Sequence, residues 1–324
     1  MRVLNVFSKI FNHFKISPMR FAFLFVLIVL SSGCSKLFES ENPLDSWAYQ
    51  LQNADPHEIV STNFDIIVMD YSRDGTDSGA YTSSDIELIK VAGKIPIAYL
   101  SIGEAENYRF YWEDSWDTLP PEWLGPENPN WPGNYAVRYW DSAWQHIIFT
   151  YIDKILAQGF RGLYLDKVDE FEFWSSEDSI MTERDAAIRM INFIVSIVNY
   201  CKSREGADFY IIPQNGENLI YHDNTGELLR EVSGWGVEDL FYDGVLPLSS
   251  EVTAERCQYL DVVKNSGRFI LSVDYVDDGT GYQGDNKARI DDYRAKALSK
   301  GYIPYAARSD RELDELNIVD DIQH

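Results

Sequence analysis

From Ser46 onward the chain repeats one unit about eight times: an apolar or β-branched run, a polar junction, then a helix-period segment. The runs span Ser46–Leu51, Phe64–Tyr71, Lys94–Ile102, Arg161–Asp166, Phe209–Gln214, Gly236–Phe241, Arg268–Asp274 and Gly301–Ala306, and each reads as a strand. A 3.6-residue period predicts helices at Pro56–Ser61, Ser84–Ala92, Ser142–Gln158, Glu183–Arg204, Ala254–Ser266 and Asp285–Lys300. Gly159, Gly267 and Gly301 stop a helix just before the next strand. Strands that alternate with helices pair in parallel. Eight such units, with no GxGxxG after a strand and no P-loop, fit a closed barrel better than an open doubly wound sheet. The expectation is a single-domain α/β fold, a (β/α)8 TIM barrel. Its weakest units are the fifth, where Asn218–Glu231 is polar and irregular, and the sixth.

A barrel of this kind places chemistry at the carboxyl ends of its strands. Carboxylates stand at nearly all of them: Asp70, Glu104, Asp166, Asp169, Glu217, Glu238 and Asp274. Helix capping in an acidic chain accounts for some. It accounts less well for Asp166 and Glu238, which interrupt strand-like runs where a charge must face the lumen or be neutralised. In Gly162-Leu-Tyr-Leu-Asp166, side-chain alternation sends Leu163 and Leu165 one way and Tyr164 and Asp166 the other. In Gly236-Val-Glu238, Gly236 and Glu238 share a face. Carboxylates on the fourth and sixth strands then meet across the mouth. One can protonate a leaving oxygen while the other attacks or activates water, the arrangement that cleaves glycosidic bonds.

Composition narrows the partners. With 52 acidic against 28 basic side chains the formal charge is −24, which repels a phosphate backbone and excludes nucleic-acid binding as the main task. Residues 1–33 carry Arg2, Lys9, Lys15 and Arg20 and no acid, and Phe21–Leu30 is unbroken apolar sequence. That run is too short to span a bilayer and suits a signal peptide. Met19-Arg20 directly before it reads as a compact alternative start. Ser31-Ser-Gly-Cys34 resembles the lipobox of bacterial lipoproteins, although Leu30 sits one place further back than that family's leucine. Residues 1–33 are therefore expected to be a signal peptide and Cys34 a lipidated N-terminus. Residues 34–44 form a tether and 45–324 the domain, in an exported protein held to the cell envelope by its lipid alone. An ordinary secretory signal is the alternative. Cys201 and Cys257 fall in helical segments and read as buried free thiols, with a bridge between them as the alternative. His57, His146, His222 and His324 show no metal-binding spacing, so no metal or organic cofactor is expected.

After the third strand a connection runs from Gly103 to Asp141. It holds Trp112, Trp116, Trp123, Trp131, Tyr135 and Trp140 among its rings and is stiffened by prolines. Connections this long are usually functional. Most of these rings are expected to pack the loop onto the barrel, and Trp131 and Tyr135, beside Gly133 and Asn134, to line a sugar-binding groove.

Trp47-Ala-Tyr-Gln-Leu51, Tyr99-Leu-Ser-Ile-Gly-Glu-Ala-Glu106, Trp131-Pro-Gly-Asn-Tyr135, Tyr139-Trp-Asp141 and Gly162-Leu-Tyr-Leu-Asp-Lys-Val-Asp169 together resemble glycoside hydrolase family 114. Its characterised members are endo-α-1,4-polygalactosaminidases. The resemblance runs from about Trp47 to Arg308 and implies a TIM barrel cleaving α-1,4-linked galactosamine polymers with retention. It implies Asp166 as nucleophile and Glu238 as acid/base, with Glu217 in Gln214-Asn-Gly-Glu217 as competitor for the second role. Asp70, Tyr99, Glu104, Trp131, Tyr135, Asp169, Glu217 and Asp274 are the candidate substrate-binding residues, and Asp70, Glu104, Asp169 and Asp274 could pair with the ammonium groups of a deacetylated, cationic polysaccharide. A glycosidase for another α-linked glycan and a non-catalytic polysaccharide-binding lipoprotein are the alternatives.

Overall fold

A computed structural model describes residues 44–176, 180–319 and 322–324. The expectations placed on residues 1–33 and Cys34, and on all of the tether but Leu44, lie outside the described residues.

Eight parallel strands form the frame: β1 (Trp47–Gln50), β2 (Ile66–Met69), β3 (Ile95–Ser101), β4 (Gly162–Asp166), β5 (Tyr210–Pro213), β6 (Gly234–Glu238), β7 (Phe269–Asp277) and β8 (Ile303–Arg308). Strands β1 to β5 pair in sequence order, as do β6, β7 and β8. A Gln214–Gly236 bridge, with Ser233 N bonded to Ile211 O at 2.8 Å, joins β5 to β6. Where β8 meets β1, Trp47 Nε1 donates to Ile303 O at 2.9 Å and its ring packs 5.7 Å from Tyr305. The architecture is the expected (β/α)8 barrel.

Helices fall where the apolar period placed them, at Pro56–Val60, Ser83–Val91, Ser142–Gln158, Glu183–Glu205, Ser250–Asn265 and Gly284–Lys300. Thr82 and Asp85 form a reciprocal capping box at one of them, and Gly159 and Gly301 close two others in left-handed geometry. The irregular fifth unit holds two short helices, Leu219–His222 and Glu227–Glu231. The sixth unit, expected to be weak, carries a full helix. Cys201 and Cys257 are buried free thiols.

The interior is unusually aromatic. Trp47, Tyr49 and Tyr164 are mutually in contact, with ring centroids 5.4–6.1 Å apart. Glycines opposite make room for bulk: a Cβ on Gly236 would stand 2.0 Å from Tyr164 Oη, and one on Gly234 2.4 Å from the Phe269 ring. Tyr164 and Gly236 therefore face the lumen, as alternation required, and this aromatic floor carries the site above it.

The connection after β3 has strands of its own. Asn134–Val137 pairs antiparallel with both Glu104–Glu106 and Leu124–Glu127, forming a small lobe beside the mouth. Trp112, Trp116, Trp123 and Trp144 make a chain of ring contacts 5.0–5.1 Å apart that fastens the lobe to the helix Ser142–Gln158.

Candidate active site

Asp166 is the last residue of β4, in register with Ser101 of β3. Its carboxylate accepts the Tyr99 hydroxyl at 2.7 Å. Glu238 is the last residue of β6, in register with Val273. Tyr275 Oη donates to its Oε1 at 2.5 Å and Asn215 Nδ2 to its Oε2 at 3.1 Å, while Asn215 Oδ1 accepts its backbone N–H at 3.0 Å. Both carboxylates retain partial exposure at the mouth. Burial first, and the charge of Glu238 second, push Asp166 up to about 7 against the opposing pull of Lys167. Burial also raises Glu238, against the bond from Tyr275. Tyr99 and Tyr275 are themselves held far above the usual phenol range by burial, so both serve as neutral donors. The charge of Glu238 thus bears on Asp166.

The residues that follow three of these strands are non-glycine yet left-handed: Lys167 (φ 60°), Asn215 (φ 58°) and Asp239 (φ 49°). Such backbone costs free energy and persists only where surrounding contacts over-determine it. Here Arg256 donates to the carbonyls of Glu238 and Asp239 at 2.9 and 3.0 Å.

The other predicted acids separate by what already occupies them. Asp169 is partly exposed, its charge raises Asp166, and of the carboxylates around Lys167 it acts most strongly on that ammonium. Asp70 is buried in an ion pair with Arg109 at 2.7 Å, which also holds Glu106 at 2.6 Å. Burial leaves Asp70 raised to about 6 despite that cation. Glu104 is buried against Lys167 at 2.9 Å and takes Asn128 Nδ2 at 2.8 Å. Glu217 is held by Arg256 through both oxygens, at 2.5 and 3.3 Å. Asp274 is fully buried, and the backbone N–H groups of Leu240, Phe241 and Tyr242 fill its oxygens at 2.9 Å each. Asp70, Glu104 and Asp274, expected as partners for a sugar ammonium, are thus already held by groups of the protein, as is Glu217. Trp131 stands 57% exposed on the lobe, while Tyr135 is partly exposed with one face on Trp112 at 4.9 Å.

Asn215, Tyr275, Arg256, Lys167 and Arg311 were not singled out from sequence. Asn215 lies within the Gln214–Glu217 stretch and Tyr275 next to Asp274, so the signal was adjacency to a residue already marked.

Residues 34–323 match the model of glycoside-hydrolase family GH114. The chain belongs to that family. A protein of Methanocaldococcus jannaschii described only as uncharacterized is 59% identical over 271 residues, covering 84% of this chain and 78% of its own. One from Thermotoga maritima, likewise uncharacterized, is 51% identical over 306 residues, covering 93% and 94%. Among solved structures, the glycoside hydrolase domain of PelA from Pseudomonas aeruginosa superposes with a TM-score of 0.63 at 18% identity, over 84% of this chain and 97% of that one. Aspergillus fumigatus Ega3, solved in complex with galactosamine, gives 0.60 at 17% identity, over 86% and 96%. At that identity the likeness concerns the fold. Within this family of hydrolases the barrel mouth with Asp166 and Glu238 is the candidate active site.

Proposed function

We propose that the protein is a retaining endo-glycosidase acting on α-1,4-linked galactosamine-type polysaccharide. The observation that carries this reading is the pair itself: Asp166 and Glu238 end β4 and β6, remain reachable from solvent, and interact through their charges. Asp166 attacks the anomeric carbon as the glycosidic C–O bond breaks, and Glu238 gives its proton to the departing oxygen. In the second half Glu238 takes a proton from water, whose oxygen displaces Asp166 and releases the sugar with its original configuration. Glu217 is the weaker candidate for acid/base because Arg256 already holds both oxygens of its carboxylate. The substrate class draws support from Ega3, solved in complex with galactosamine, and from Asp169, whose partly exposed carboxylate near the nucleophile suits an ammonium group. Trp131 and Tyr135 offer ring faces for stacking. Export and lipid attachment through Cys34 remain part of the proposal, checked by metabolic labelling with a fatty acid that Cys34→Ala must abolish.

The test is release of reducing ends from de-N-acetylated galactosaminogalactan, its N-acetylated form and a neutral α-glucan. Cleavage of the first, with much lower rates on the others, is expected. Cleavage of the neutral polymer alone would move the substrate class, and binding without turnover of any would make the protein a polysaccharide-binding module.

A further inference from the structure

Glu238 is governed by a residue far from it in sequence. The loop after β8 is fastened to the end of β1: Leu51 N and Gln52 N donate to Leu313 O at 2.8 and 3.1 Å, Gln52 Nε2 to Glu312 O at 3.0 Å, and Gln50 Nε2 to Asp314 O at 3.0 Å. From this loop Arg311, itself left-handed at φ 65°, reaches back over the mouth. Its Nη1 and Nη2 grip Asp239 Oδ2 and Oδ1 at 2.7 and 3.0 Å, and Nη2 also meets Asp243 at 2.8 Å. Its guanidinium lies over the Tyr275 ring, 4.4 Å from the centroid. Asp239 directly follows Glu238, and Tyr275 donates to the Glu238 carboxylate. One guanidinium therefore contacts both the backbone neighbour of Glu238 and its hydroxyl donor.

We propose that Arg311 is a positioning residue for Glu238, fixing the turn that aims this carboxyl and supplying the positive charge that balances Asp239 beside it. The role rests on the reading of Glu238 as the acid/base. A lone exposed ion pair would contribute little, but this one is a planar fork onto a carboxylate combined with a cation–π contact, geometry that lysine cannot reproduce. The groups facing Glu238 are Asp239 on its own strand end, Tyr275 from β7 and Arg311 from the loop after β8. Tyr49 of β1 and Tyr164 and Asp166 of β4 face it from across the lumen, and Arg256 sits on its carbonyl side. Removing the Arg311 charge leaves Asp239 unopposed, so the Glu238 proton binds more tightly. Removing the Asp239 charge acts in the opposite direction.

The experiment is a 13C titration of the full chain labelled at glutamate carboxyls, with Glu238→Gln assigning the resonance, alongside the pH dependence of kcat/KM. Arg311→Gln is expected to raise the Glu238 midpoint by about half a unit or more and to lower kcat about tenfold with KM within about twofold. Arg311→Lys restores the midpoint while kcat stays low, and Asp239→Asn lowers the midpoint. Opposite shifts from the two variants cannot come from loosened structure. An Arg311→Gln variant with the wild-type midpoint and kcat would overturn the proposal. The titration needs no substrate, so a wild type that cleaves nothing while the midpoints still shift would sink the glycosidase reading and leave the Arg311 coupling intact.

Discussion

Asp166 combines two demands that conflict. The proposed reaction needs it ionised, while its surroundings withdraw the charge from water and place Glu238 nearby, so it holds its proton up to about pH 7. Below about pH 4 the folded and unfolded chains both carry that proton, and between about 4 and 7 the folded state binds it more tightly, so stability falls as pH rises through this window. Asp166→Asn is therefore expected to raise Tm by a few degrees at pH 8 and to leave it unchanged at pH 4, checked by calorimetry at both values. An equal shift at both would remove the electrostatic account. With Asp166 as the proposed nucleophile, the same raised affinity predicts that kcat/KM climbs through about pH 7 on its acid side, because that carboxyl must lose its proton, rather than through the pH 4 of an ordinary carboxylate. Asp166 and Glu238 were legible in sequence because strand alternation is local and obligatory. Their partners were not: Asn215 and Tyr275 lie 23 and 37 residues from Glu238, and nothing local marks a pairing that tertiary packing creates. For the same reason Asp70, Glu104, Glu217 and Asp274 looked free until Arg109, Lys167, Arg256 and three backbone amides were placed against them.

At the level of elements, the strand-helix alternation and most boundaries followed from periodicity and glycine stops. Strand β6 did not. Gly234 begins it although glycine is a poor strand former, and left-handed Asp239 ends it before the apolar Leu240-Phe241 that the pattern had included. Gly236 is required by Tyr164, which is clamped between Trp47 and Tyr49 and cannot yield. Gly236→Ala is expected to cost about 1–3 kcal/mol and to displace Glu238 with β6, read as a lowered denaturation midpoint together with lost activity. The lobe depends on a buried triad in which Arg109, Asp70 and Glu106 are each at most 5% exposed along their side chains. Arg109→Ala leaves two buried carboxylates without their cation and is expected to cost about 3–5 kcal/mol. Limited proteolysis should then cut first within residues 107–133. The lobe's strands were missed because they are short, one carries Pro126, and they pair with each other rather than with the barrel.

Across the whole molecule, the sequence charge of −24 outweighs any one ion pair. Much of the acid at the mouth is internally balanced, so attraction for the proposed cationic polymer would come from the summed field and a few partly exposed carboxylates such as Asp169. That field is screened by salt. Raising ionic strength from about 0.01 to 0.3 M should increase KM for a deacetylated galactosamine polymer several-fold and leave KM for its N-acetylated form nearly unchanged. Equal salt dependence for both would argue against charge-guided binding. The barrel was foreseeable from repetition, and the paired acids from what its strand ends must carry. The central claim is that those two acids perform one reaction. It is tested most directly by comparing cleavage rates of wild type, Asp166→Asn, Glu238→Gln and Glu217→Gln on one polymer, with each fold verified by its melting curve. The account predicts losses of about a thousandfold or more for the first two variants and a smaller loss for Glu217→Gln. Near-wild-type cleavage by folded Asp166→Asn or Glu238→Gln would contradict it.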